Sequence, residues 1–200
     1  MKYYHLISPD RGENIHMQRA SHSWFYDTSG QYLNPNDVEL PFLVNMYAGE
    51  ESGYEQFDID FYGEAEIISV ADRLKDFYTT TPLMSDDLIK TILEAGVKNL
   101  QFFPVLIKDM QRGETVEKVY KFFNIIGLIS CADMEGSRHS SVGGTYYFHD
   151  LAVNEANTNG ELLFRLAEAP SEIIVAEKVA EAINKGGFRG IFAEPLLENI

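Results

Sequence analysis

The chain has 200 residues, 45% of them hydrophobic, enough for one good core or two small ones; its single cysteine, Cys131, excludes an intramolecular disulfide and a cysteine-built zinc cage. A formal charge of −15 disfavours nucleic acid and anionic membranes as partners, because no basic patch exists to displace counterions. The start Met1-Lys-Tyr-Tyr-His carries no apolar leader, and no run approaches the roughly 18 apolar residues of a membrane span, so a cytoplasmic protein is expected.

The amino-terminal third is acidic and aromatic. From Ala20 to Asp72 there is no lysine or arginine, and eleven carboxylates are interleaved with rings such as Trp24, Tyr26, Tyr47 and Tyr54. Disordered acidic tails have few aromatics, so an ordered single-sign surface is expected. Such a surface attracts a basic partner, or it is a solvated face that keeps the protein soluble. Glu50, Glu51, Tyr54, Glu55, Asp58, Asp60 and Glu64 are the candidate partner-binding residues, combining charge with aromatic anchors. Pro35 and Pro41 break this third into short strands and loops, with a helix predicted from about Glu66 to Phe77.

Two later stretches echo one another without a gap, Leu83–Val105 and Ile174–Leu196, matching Ile92 with Ile183, Gly96 with Gly187 and Pro104 with Pro195. In the first, Ser85 is an N-cap and Asp86 and Asp87 suit the positive end of the helix dipole. Leu88, Ile89, Ile92 and Leu93 make an apolar face, and Gly96 suits the left-handed helix stop. A strand Leu100–Ile107 follows, with Pro104 at an edge or bulge because it lacks an N–H. The second copy repeats the plan with Ala176 in place of the cap. Leu88, Ile92, Val179 and Ile183 are expected to share one core.

Between the copies, strands are predicted over Glu117–Ile126, continued by Gly127–Asp133, and over Thr145–Val153 and Glu161–Leu166. The turn Asn154–Gly160 should join the last two as a hairpin, and Gly136–Gly144 reads as a polar loop. The fold class is α+β: mostly antiparallel sheet with a few helices and two similar helix–Gly–strand–Pro units. The expected organisation is one compact domain over 1–200, with an acidic aromatic layer at 1–78 on an α+β core at 79–200.

The succession PLMSDDL…GVKNLQFFPV, VYKFFNIIGLISCADMEGS, ELLFRLAE and EIIVAEKVAEAINKGGFRGIFAEP is similar to the immunity protein 11 family from about Leu83 to the end. The matching positions are Ser85, Tyr120, Asn124, Cys131, Asp133, Ser137, Phe164, Arg165, Gly187 and Pro195. The resemblance implies a bacterial protein encoded beside a polymorphic toxin that protects its producer by binding the toxin domain. A cognate toxin domain, basic if it attacks nucleic acid, is therefore the expected partner.

Other residues carry weaker chemistry. Asp58 and Asp60 would share one face of a strand and could hold Mg²⁺ or Ca²⁺, but no further ligand follows at fixed spacing. His16 and His22 lack a standard ligand spacing. Gly143-Gly144 opens no helix, so no phosphate loop is read there. Cys131, Asp133, Ser137, His139 and His149 would serve a thiol or serine hydrolase, yet no nucleophile motif surrounds them. Cys131 reads instead as a buried small hydrophobe and Asp133 with Ser137 as a turn cap. Arg165 is expected to pair with Asp133 or another core-edge carboxylate. No catalytic residue, metal or cofactor is assigned; the alternative is a metal-dependent or thiol enzyme built on Asp58/Asp60 or the Cys131–His139 region.

Overall fold

Local chemistry sets both ends of the first helix. The computed structural model describes residues 1–8, 15–19, 30–34, 36, 40–48, 74–79, 81–110 and 112–197. In it, Ser85 caps α1 (Asp86–Glu94), its Oγ accepting from the Leu88 N–H at 3.4 Å. The helix ends in a Schellman motif: Gly96, at φ +102°, donates to the Leu93 carbonyl, and Val97 donates to that of Ile92. The second helix, α2 (Glu177–Gly186), has Ala176 at its N-cap with no side-chain bond, and stops at Gly187 with φ +66°. Both helices have their first N–H satisfied by a neighbouring strand's backbone: the Glu177 N–H donates to Lys2 O at 2.9 Å, just as the Asp86 N–H donates to Val119 O at 3.2 Å.

These paired bonds belong to a larger correspondence. In one sheet, β5 (Leu83–Ser85) and β6 (Leu100–Asp109) flank β8 (Tyr120–Ile125), each antiparallel to it, with β4 (Phe77–Tyr78) outside β5. In the other, β13 (Ile173–Ala176) and β14 (Phe192–Pro195) flank β1 (Tyr3–Ile7), with β12 (Leu163–Leu166) outside β13. The registers agree rung by rung. Tyr120 faces Ser85 as Tyr3 faces Ala176; Phe122 faces Phe103 as His5 faces Glu194; Lys121 faces Pro104 as Tyr4 faces Pro195. The echo is therefore a structural repeat of four strands and a helix, and the amino-terminal strand completes the carboxy-terminal unit.

The first unit's sheet is extended beyond β6 by β3 (Phe42–Ala48) and β2 (Ile15–Arg19), with β7 (Glu114–Thr115) also on β6; β9 (Leu128–Ile129) extends the second beyond β12. The β3–β6 and β9–β12 pairings are parallel, all other ladders antiparallel, among the described residues. Pro104 is exposed and lies where β6 changes its partner from β8 to β3, which tolerates the missing donor; Pro195 lies on the outermost strand of its sheet.

Alternation along the strands sorts the apolar residues. Met84, Phe123, Leu163, Val175 and Leu6 point inward, where they share a core with Leu88, Ile92, Val179 and Ile183 of the two helices. Leu83, Phe122 and Tyr120 point outward into a second cluster with Phe42, Val44 and Met46. On the matching outer face of the second sheet, Ile174, Tyr3 and Phe164 pack with Cys131, Leu151 and Val153.

Three expectations are corrected. Gly136–Gly144 is not a loop: β10 (Arg138–Val142) and β11 (Thr145–Asp150) form a hairpin, joined through Gly143 and Gly144 at φ +61° and +86°. Positive φ at both central residues is the I′ geometry that matches strand twist, which Gly-Gly supplies without strain. Consequently Thr145–Val153 does not pair with Glu161–Leu166. Asn154 instead caps a 3₁₀ turn, Glu155–Thr158, and β12, buried on both faces, enters the sheet between β13 and β9. The helix predicted to end at Phe77 does not include Leu74–Phe77: Phe77 opens β4, stacked on Phe123 at 5.4 Å, while 66–73 lie outside the described residues.

Candidate interaction site

The candidate partner-binding residues Glu50, Glu51, Tyr54, Glu55, Asp58, Asp60 and Glu64 lie outside the described residues, as do Trp24, Tyr26 and His22. The positions that carry the family resemblance, by contrast, are all described, and they hold the architecture together. Tyr120, 2% exposed, donates from its hydroxyl to the Lys75 carbonyl at 2.7 Å. Its counterpart Tyr3 donates to Thr158 Oγ1 at 2.8 Å, and burial raises the pKa of both phenols. Asn124 donates to Gln31 O at 2.8 Å, and Gln101 beside it accepts from the Leu33 N–H at 3.0 Å, so two side-chain amides clasp the 30–34 segment.

Four of the residues weighed for a hydrolase, Cys131, Asp133, Ser137 and His139, are held by local packing or hydrogen bonds. Cys131 is 1% exposed, and burial, with a smaller contribution from Glu168, pushes its thiol up to about 12, which keeps it protonated at neutral pH. Asp133 Oδ1 accepts from the N–H groups of Glu135 and Gly136 at 3.1 and 3.0 Å, the turn cap read from the sequence. Ser137 Oγ accepts from Ala152 N–H and donates to Ala152 O, pinning the entry to the hairpin. His139 packs edge-on against Tyr146 and Phe148, at 5.5 and 5.8 Å. Arg165, expected to pair with Asp133 or another core-edge carboxylate, is buried and donates to the Pro170 carbonyl at 2.8 Å. Among the described residues, no cluster of three or more His, Cys, Asp or Glu is placed to hold a metal ion. No described helix is long and apolar enough to cross a membrane.

One surface feature escaped the sequence reading. A cleft of about 150 Å³ opens beside β14, where His5, His149, Asp150, Glu172 and Glu194 meet an apolar wall that includes Leu196. His5 Nε2 lies 2.5 Å from Glu172 Oε2, and Asp150 Oδ2 lies 2.7 Å from Arg138 Nε. The alternating exposure of β11 turns Tyr147 and His149 to one side of the strand, and Tyr147 is exposed. The echo held the signal for it: Glu194 aligns with Phe103, a carboxylate where the other copy has a ring.

A search among curated proteins finds no match. A protein-family model does match, over residues 2–195, so the likeness reaches the amino-terminal third that the motifs left out. This chain belongs to the immunity protein family Imm11.

Proposed function

We propose that the protein neutralises a cognate bacterial toxin domain by binding it in the cytoplasm, as a stoichiometric inhibitor and not as an enzyme. The carrying observation is family membership across residues 2–195. The charge distribution supports a partner of opposite sign. The eleven carboxylates between Ala20 and Asp72, with Glu50, Glu51, Glu55, Asp58, Asp60 and Glu64 among them, would steer a basic toxin domain toward contact, and Tyr54 would serve as an anchor. A division of labour between scaffold and contact surface also supports the reading. The positions shared with the family are spent on caps, buried hydrogen bonds and core packing, which leaves exposed residues to choose the partner.

The test is co-purification with the toxin domain encoded beside the gene, followed by stopped-flow association across an ionic-strength series. The Glu50→Gln, Glu51→Gln, Glu55→Gln variant should associate more slowly with a flatter salt dependence, and dissociate at nearly the parent rate. Association of the parent that ignores salt would reduce the acidic segment to a solubility device.

A further inference from the structure

The two units provide an internal comparison, and they treat one rung of their outer faces differently. In the second unit, Ile7 of β1 faces Phe192 of β14, an apolar pair. The same rung of the first unit holds two amides, Asn124 of β8 facing Gln101 of β6. Both amides reach out of the sheet to the segment 30–33. Gln101 pairs with the Leu33 backbone in both directions, accepting from its N–H and donating to its carbonyl, as a neighbouring strand would. Asn124, 3% exposed, donates to Gln31 O at 2.8 Å and to Gln101 Oε1 at 3.3 Å, which orients the second amide. The Gly127 N–H holds Gly30 O at 2.7 Å, and Gly30, at φ +71°, lies so close that a Cβ would fall 2.8 Å from the Gly127 carbonyl carbon. The backbone is thus tied down on both sides of Tyr32, whose own side chain is 65% exposed. Covering the sheet accounts for Leu33, which packs against the outer cluster. It does not account for a ring held out in solvent.

Resting on the toxin-binding reading above, we propose that 30–33 is a preformed recognition strap, with the Tyr32 ring an anchor that a basic surface of the toxin domain covers. Charge selects that occupant over a second copy of this chain. The strap belongs to the stretch 20–72, where eleven carboxylates stand without a lysine or arginine. A basic surface gains by docking there, whereas another chain of charge −15 is repelled. The ring suits such a partner, because its face accepts a guanidinium or ammonium group and it offers a large contact area on few rotatable bonds. Tyr147 is also exposed, but it stands on a hairpin with no charged residue between Arg138 and Asp150. The clasp supplies the remaining part. A strap already ordered in the free protein loses little backbone freedom on binding, so more of the contact energy appears as affinity.

The measurement is dissociation of the full chain from the toxin domain expected beside the gene, with Tyr32→Ala, Tyr32→Phe, Gln101→Ala and Tyr147→Ala compared with the parent. Tyr32→Ala should dissociate about thirtyfold faster, the loss expected of a hot-spot tyrosine, and should melt where the parent does because the ring is exposed. Tyr32→Phe keeps the aromatic face and should stay within about threefold of the parent. Gln101→Ala loosens the strap and should dissociate about fivefold faster. Combined with Tyr32→Ala it should add nothing further, because the clasp acts through the ring. Dissociation of Tyr32→Ala at the parent rate, or an equally large effect of Tyr147→Ala, would overturn the anchor. Additive effects of Gln101→Ala and Tyr32→Ala would overturn the clasp as its support. A parent that fails to bind the toxin domain refutes the reading of function and the anchor with it, whereas a parent that binds beside an unaffected Tyr32→Ala refutes the anchor alone.

Discussion

Asp76 joins the two units, and removing its carboxylate is the sharpest test of how they are held together. The residue is buried just before β4, with Oδ1 accepting from Lys118 Nζ at 2.8 Å and Oδ2 accepting from the Arg189 N–H at 2.8 Å. Its own N–H donates to Arg189 O at 2.8 Å, so a two-way bridge ties the first unit to the α2–β14 connection. In Asp76→Ala the Arg189 amide loses a charged acceptor, worth about 2 kcal/mol for a hydrogen bond to a charged group. Lys118 is 38% exposed, and its share is discounted for solvent to about 1 kcal/mol. The sum is about 3 kcal/mol, roughly 6–12 °C in Tm for a chain of this size. Urea and thermal unfolding of Asp76→Ala and Lys118→Ala would measure it, with the lysine variant costing no more than about 1 kcal/mol. The acid limb gives an independent reading. Burial alone would raise the Asp76 pKa, but the hydrogen bonds from Lys118, Arg189 and Ser85 and the lysine charge outweigh it and hold the carboxyl below its ordinary 3.8. A depressed folded pKa means the contribution is present above that ordinary value and is lost as pH falls through the folded one, so parent and variant should converge in stability only in strong acid. An Asp76→Ala cost under about 0.5 kcal/mol, or an equal cost for both variants, would refute the bridge.

Three further outcomes follow from named contacts. Cys131→Ala should cost about 1–2 kcal/mol through a small cavity and leave toxin protection intact, as measured by denaturant unfolding beside the protection assay; a folded variant without protection would make the thiol functional. Gly190→Ala should destabilise by about 2 kcal/mol or more by thermal melting, because φ is +68° and an added Cβ would fall 2.4 Å from Lys75 Cδ, in a side chain that is itself buried. Because burial raises the phenol pKa of Tyr120 and Tyr3, their contribution is complete below the unfolded value of about 10 and is lost as pH rises beyond it. Tyr120→Phe should therefore flatten the alkaline limb of the stability–pH profile, and a limb identical to the parent's would contradict this.

Elements whose signals are local were legible in the sequence. Ser85, Gly96 and the Leu88–Ile92 face define α1 without reference to the rest of the chain, and the echo located α2 despite its missing cap. What depends on distant partners was not legible. Nothing local marks β1 as the central strand of the carboxy-terminal unit, since its ladders join Tyr4 to Val175 and Pro195. The hairpin at β10 and β11 was missed because a two-stranded ribbon exposed on one side has little apolar contrast in Arg138–Val142, leaving only the Gly-Gly turn as a signal. The strand at Phe77 lost to a helical pattern because two residues carry no period. The turn cap at Asp133 was readable because an aspartate binds its own neighbours. The cleft was not, because it needs His5 beside Glu194, and only the shared register of the two units brings them together.

The central claim is that this chain protects a cell by binding a toxin domain, and survival under co-expression tests it most directly. The toxin domain that the account expects beside the gene is induced in cells with or without this chain, and the complex is then isolated at defined stoichiometry. The account predicts growth only when the chain is present, together with an intact complex of the two proteins. Cells that die in the presence of abundant folded protein, or that survive with the toxin domain chemically altered and no complex formed, would contradict it.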